Sequence, residues 1–274
     1  MTALETTAPQ AATPDSAIPG WVVVLGQELR DLWVGGRGLP LTFAFSILVS
    51  VIAYLTATNK ALNFLEQREA VNLTLQVAIA VGALLALLAA ADAFSGERER
   101  DTLETLLLTP VSRLQVTVGK LLAALSLWFA AFVVTVPYSW FLGRGVGVVG
   151  DALLTGLVVG TLLAVVFVSL GMIFSVFAGS NRISLSLSLF LLLALFAPTQ
   201  LPSSAQKGWA GELLLRLNPV TSGEHFVGKV IVNAHSWRED ASWLVSPLVA
   251  AVLFSAVASL AGARFVRLRG GISG

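Results

Sequence analysis

The amino-acid sequence predicts an all-α, polytopic membrane protein with six transmembrane helices. Three observations carry this expectation. Of 274 residues, 56% are hydrophobic and only 12% are charged, where a soluble domain carries about 25% charged residues. The mean hydropathy is +0.83. The apolar residues also gather into six long runs, against the roughly 20 residues that cross a bilayer.

The elements follow in order. Residues 1–20 contain Glu5 and Asp15, are rich in Ala, Thr and Pro, and lack the basic start of a signal peptide. They read as a disordered cytoplasmic tail. Residues 21–33 (WVVVLGQELRDLW) form an amphipathic segment suited to an interfacial helix on the inner surface. The six spans are expected at about 40–57, 71–91, 121–142, 152–178, 183–198 and 247–263, within one membrane domain of residues 21–269. Pro40 and Pro247 suit a first helical turn, where the missing N–H is no loss. Asp151 is placed to cap the fourth span, and Ser180 or Asn181 the fifth. Pro137 predicts a kink in the third. The fifth run is short and reaches Pro198 and Pro202, so a re-entrant turn is an alternative ending. Residues 199–242 form a long extracytoplasmic loop. Within it Thr221 and Glu224 have capping-box spacing, and Phe226, Val227, Val230 and Ile231 line one side of the helix expected to follow.

Lysine and arginine set the orientation. With the N-terminus inside, the inner segments hold Arg30, Arg37, Arg98, Arg100, Arg113, Lys120, Arg182, Arg264, Arg267 and Arg269. The outer segments hold Lys60, Arg68, Arg144, Lys207, Arg216, Lys229 and Arg238. This balance favours both termini in the cytoplasm. Tyr138, Trp140, Trp237 and Trp243 then fall at the outer interface, where amphipathic rings prefer to sit.

Between spans two and three lies a charged island. Six charged residues, Glu97 to Asp101 and Glu104, fall within eight positions, and such a cluster must lie in water or against a partner. Residues 97–108 lack Pro and Gly and read as a helix. Glu97 with Asp101 and Arg100 with Glu104 have i,i+4 spacing, and Leu103, Leu106 and Leu107 make an apolar stripe. Pro110 ends that helix, and Ser112 with Gln115 has capping-box spacing to start the next. A solvated loop is the plain alternative, but it needs neither a leucine stripe nor paired stop and start signals.

Other signals carry less. There is no cysteine, which excludes disulfides and thiol chemistry. Residues 223–230 (GEHFVGKV) match the first seven positions of a P-loop but end in Val and follow no strand, so no nucleotide site is expected there. His225 and His235 read as incidental rather than as a metal site. Asp92 ends the second apolar run and reads as interfacial. Gly156, Gly160 and Ala164 have small-xxx-small spacing, equally compatible with a dimer contact or packing within one subunit. The spans otherwise lack ionisable residues, which weakens a channel or secondary transporter acting alone. No arrangement within the spans suggests catalysis, so no catalytic residue is assigned.

The run Gly96-Glu97-Arg98-Glu99-Arg100-Asp101-Thr102-Leu103-Glu104-Thr105-Leu106-Leu107-Leu108-Thr109-Pro110-Val111-Ser112-Arg113, followed by Gly119-Lys120, resembles the cytoplasmic segment of type-2 ATP-binding cassette (ABC) exporter permeases. That family usually reads E-x-E-x-G-T-L-E-x-L-L-x-[ST]-P-[VI]-[ST]-R and then G-K. The chain departs at Asp101, where the family mostly has Gly. Asn218-Pro219, the six-span layout and the amphipathic first segment are similar as well, so the resemblance runs from about residue 21 to 269.

The resemblance implies a permease subunit of an ABC transporter, an exporter, moved by a separate ATPase subunit. Glu97, Arg98, Glu99, Arg100, Thr102, Leu103, Glu104 and Leu107 would form the coupling helix. Ser180, Asn181 and Arg182 would make a second contact, and Glu28, Arg30 and Asp31 would lie on the interfacial helix. The chain itself would be no enzyme and bind no cofactor or metal, ATP and Mg being held by the partner. It would pair as a homodimer or heterodimer, contact membrane lipids and no nucleic acid, and carry an amphipathic or apolar substrate. The alternative within the class is a permease for enzyme maturation or envelope assembly that transmits force to an extracytoplasmic partner at 199–242.

Overall fold

The computed structural model describes residues 19–58, 64–103, 111–200 and 208–265. The expected tail thus falls almost wholly outside the described residues, as do Glu104 and Leu107. The described residues are helical without a strand, and six helices are long and apolar enough to cross a membrane.

The chain opens with α1 (Gly20–Trp33), which packs along the start of α5 (Arg113–Gly143). Three spans, α3 (Phe64–Asp92), α5 and α6 (Val149–Phe177), form the centre. In α6, 61% of the most apolar window is buried, against 22% in α2 (Gly38–Ala57), 17% in α7 (Asn181–Phe196) and 22% in the window that contains α11 (Val245–Phe265). The peripheral helices leave Phe43, Tyr54, Phe190 and Val252 exposed. In water such surfaces would be costly, whereas lipid or a neighbouring apolar helix accommodates them.

Small residues explain why α6 sits at the centre. Gly156 lies against Leu75 of α3, and Gly160 lies directly under the Trp128 indole of α5. Trp128 is 1% exposed, and its Nε1 donates to Thr161 Oγ1 at 3.1 Å. Ala164 is fully buried. The small-residue stripe is therefore filled by α3 and α5 of the same chain, which decides between the two readings of its spacing.

The helices outrun the apolar runs because polar residues at a helix end lower hydropathy without breaking the hydrogen-bond ladder. The third span begins at Arg113, at a complete capping box of Ser112 and Gln115, so Lys120 lies inside the helix. Helical conformation continues through Pro137. Ser180 caps α7, accepting from the Ile183 N–H. Two expected caps are corrected. Val148 occupies the N-cap of α6, and Asp151 sits in the first turn, where its charge still favours the helix dipole.

The helix after 199–217 starts at Asn218 rather than Thr221. Asn218 Oδ1 accepts the Val220 and Thr221 N–H groups, and Pro219 takes the first helical position. This helix, α9 (Pro219–Ile231), follows α8 (Trp209–Leu217) and precedes the short α10 (Trp237–Asp240). Phe226, Val227, Val230 and Ile231 are buried and join the main core.

Gly160→Val tests the packing of α6. The added methyl groups collide with Trp128, so thermal stability should fall by about 1–3 kcal/mol equivalent. The same substitution should leave oligomeric state unchanged on size-exclusion chromatography.

Candidate functional site

The charged island forms one end of the bundle. After Asp92 the chain breaks from α3 and enters α4 (Ser95–Glu99). Ser175 of α6 makes the break possible. Its hydroxyl oxygen accepts the Phe94 and Ser95 N–H groups, both at 2.9 Å, which would otherwise be buried without partners. Gly96 has no room for a Cβ, because Asp92 and Arg100 close over it.

The charges of α4 point into the protein. Lys120 of α5 is 2% exposed, and its Nζ lies 2.5 Å from Glu28 of α1 and 2.5 Å from Glu97. The Phe94 ring lies 5.7 Å from the same ammonium. Three helices are thus joined by one buried cation. Arg98 donates to the Ala178 and Val176 carbonyls at 2.5 and 3.1 Å, at the end of α6. Arg100 pairs with Asp92 at 2.6 Å. Asn181 donates from its side chain to Asp92 at 2.5 Å and from its backbone to Glu99 at 2.7 Å, and its amide oxygen accepts from Ser95 at 3.0 Å.

A continuous helix over 97–108 is therefore corrected. Helix α4 ends at Glu99, Arg100 is its C-cap, and Asp101 has φ +57°. Glu97 and Asp101, two carboxylates that would repel at i,i+4 spacing, are parted where the helix ends at Glu99, and Glu97 pairs with Lys120 instead. The left-handed backbone gives position 101 a physical character. Glycine adopts it freely, and Asp is among the few other residues that visit it. Thr102 then closes the turn with its N–H on the Glu97 carbonyl at 3.0 Å. Leu103 is buried with Val24, Phe94, Val116 and Met172.

The sequence-assigned groups thus come together. Leu103 is buried, Glu28, Glu97 and Arg98 are half-buried and turned inward, and Asn181 is bound to α4. Glu99, Arg100, Asp101, Thr102, Arg182, Arg30 and Asp31 remain exposed, with Ser180 half-buried beside them. Three residues were missed as parts of this site: Lys120, Asp92 and Ser175. Lys120 had a visible signal, being the one cation between Arg113 and Arg144 in a long apolar helix. Ser175 had none, since a serine in an apolar run does not announce its backbone partners.

The remaining signals resolve elsewhere. The P-loop-like residues 223–230 all lie inside α9, which leaves no loop to cradle a phosphate. His225 packs on Trp243, with ring centroids 4.1 Å apart, and His235 Nδ1 lies 2.7 Å from Asp240.

The family described as ABC-2 family transporter protein matches the chain over residues 22–211. The match takes in most of α1, all of α4 and the turn at Ser180. No curated protein matches the chain.

Two measurements probe this end. Lys120→Met leaves the half-buried Glu28 and Glu97 facing each other without their cation and should cost about 1–3 kcal/mol. Adding Glu28→Gln and Glu97→Gln should restore most of it in thermal melts, and a melt no better than that of the single variant would count against the buried triad. At position 101, Asp101→Gly should be neutral or stabilising, whereas Asp101→Val should cost about 1–2 kcal/mol.

Proposed function

The chain belongs to the ABC-2 transporter family, and from that premise we propose that it is the permease subunit of an ABC exporter, moved by a separate ATPase subunit that docks at the α4 end. It is a multi-pass membrane protein, and membership of this family implies an ABC ATPase as its partner. The observation that carries the finer reading is the cross-tied construction of α4. A docking partner would meet the exposed Glu99, Arg100, Asp101, Thr102 and Arg182, with Arg30 and Asp31 of α1 alongside. A push on that surface would reach α1 and α5 through Lys120, and α6 and α7 through Asp92, Arg98 and Asn181.

In this reading ATP and Mg belong to the partner, and both termini and α4 face the cytoplasm of the inner or plasma membrane. Two permease chains, identical or similar, pair through apolar faces left exposed in one chain. Closure of the ATPases tilts the spans flanking α4 and opens the path to the other side. An assembly permease is the second reading. It is favoured by the helical cap of α8 and α9 at the opposite end, where Trp209 is 83% exposed and Leu217 is 68% exposed, as an extracytoplasmic partner would require.

The test is co-purification from the native membrane. A stoichiometric ABC ATPase is expected with the wild-type chain. Thr102→Arg with Arg182→Glu should weaken its retention at least tenfold, about 1.4 kcal/mol, with insertion and yield unchanged. Undiminished retention would move the docking surface away from α4.

A further inference from the structure

At the end of the bundle away from α4, helices α3 and α9 part to leave a cleft of about 390 Å³, within the range of small-molecule sites. Asn72 in this cleft and Asp92 beside α4 are 20 residues apart on one helix, about 30 Å. The cleft is therefore remote from the docking end.

Its α3 wall is a polar ladder. Gln76 donates to Asn72 at 3.3 Å, and Asn72 donates to Glu69 at 3.4 Å. From α9 come Thr221, Glu224, His225, Gly228 and Lys229. The Thr221 hydroxyl is already engaged with the Leu215 carbonyl at 3.0 Å. The side chains of Glu224 and Lys229, like that of His225 packed on Trp243, make no hydrogen bond or ion pair with any described residue. Five positions along α9 put Glu224 and Lys229 about 140° apart around the helix, off the i,i+4 spacing at which charges pair. Burial alone pushes the Glu224 carboxyl up to about 7. Glu224 is half-buried; a partly desolvated carboxylate with no donor opposite it is destabilising, and the cleft leaves space where a donor would stand.

We propose that the cleft between α3 and α9 binds a zwitterion that carries a primary ammonium and an anionic phosphate or carboxylate group. Glu224 is the counter-ion of the ammonium, and Lys229 is the counter-ion of the anionic group. The ammonium is primary because the cleft offers hydroxyl and carboxylate acceptors and has no Trp, Tyr or Phe lining it, whereas quaternary ammonium groups are held by aromatic cages. A metal fits less well, since no three His, Cys, Asp or Glu side chains among the described residues converge. The same chemistry is offered by the head group of an aminophospholipid and by a free soluble zwitterion. Binding here involves this chain alone and does not depend on ATPase docking.

The experiment has two arms on the full-length chain. In nanodiscs of phosphatidylcholine, free phosphoethanolamine is titrated by calorimetry. In nanodiscs of mixed phosphatidylethanolamine and phosphatidylcholine, lipids retained after transfer to detergent are identified by native mass spectrometry. Saturable binding of the free compound points to a soluble ligand, and selective retention of phosphatidylethanolamine points to a membrane lipid. Either result should weaken at least tenfold in Glu224→Gln and in Lys229→Gln, recover in Glu224→Asp, and be unaffected by Glu212→Gln on exposed α8. No binding in either arm, equal binding of choline-containing compounds, or undiminished binding by both glutamine variants would overturn the assignment.

Discussion

A lysine ammonium sealed from water beside Phe94 sets the terms for the whole charged end. Removing such a group from solvent costs several kcal/mol unless opposite charges return the lost solvation. Lys120 has two, and they arrive from different helices, Glu28 on α1 and Glu97 on α4. The seating of α1 along α5 and the inward turn of α4 are therefore parts of one electrostatic requirement. Gly119, which lets Val24 approach the α5 backbone, is the steric half of the same arrangement.

Around this cation a second polar network fastens α4 to the junction of α6 and α7. Asp92 receives Arg100 and Asn181, while Arg98 closes on the carbonyls that end α6. Every member is local to that end, so the spans beyond need no charge to be held together. The opposite end is built differently. There α9 is anchored by apolar burial and by an Asn218 cap that also donates to the Leu195 carbonyl at 2.8 Å, and Arg68 reaches the Ile231 carbonyl at 3.2 Å. At that end the cleft leaves Glu224 and Lys229 without a hydrogen bond or ion pair to a described residue, whereas Lys120 meets two carboxylates.

Much of the architecture was legible in the sequence, for identifiable reasons. Six helices follow from apolar runs, because hydropathy reports burial in lipid directly. The Ser112–Gln115 and Ser180 caps follow from short-range chemistry that acts within one turn. The charged island was legible as a site but not in its internal geometry. Residues 97–101 satisfy every local rule for a helix, yet Ser175, some eighty residues away, accepts the N–H groups at the α3–α4 break, and Asp101 turns left-handed. Whether Glu97 faces solvent or Lys120 is likewise a tertiary fact. Spacing on one helix cannot report which charges on α1 and α5 will be opposite it. The Thr221–Glu224 spacing misled for a similar reason: Asn218, three residues earlier, caps the helix and is itself held by α7, leaving Glu224 free of any capping duty.

The seat of the Trp128 ring over Gly160 has an evolutionary corollary. The largest side chain and the smallest share one fixed volume between α5 and α6, and neither position can change size alone without leaving a void or a collision. A substitution at one therefore needs a compensating substitution at the other. Other positions on α5 and α6 are free of this constraint, so the coupling is confined to the level of the bundle where the two residues meet.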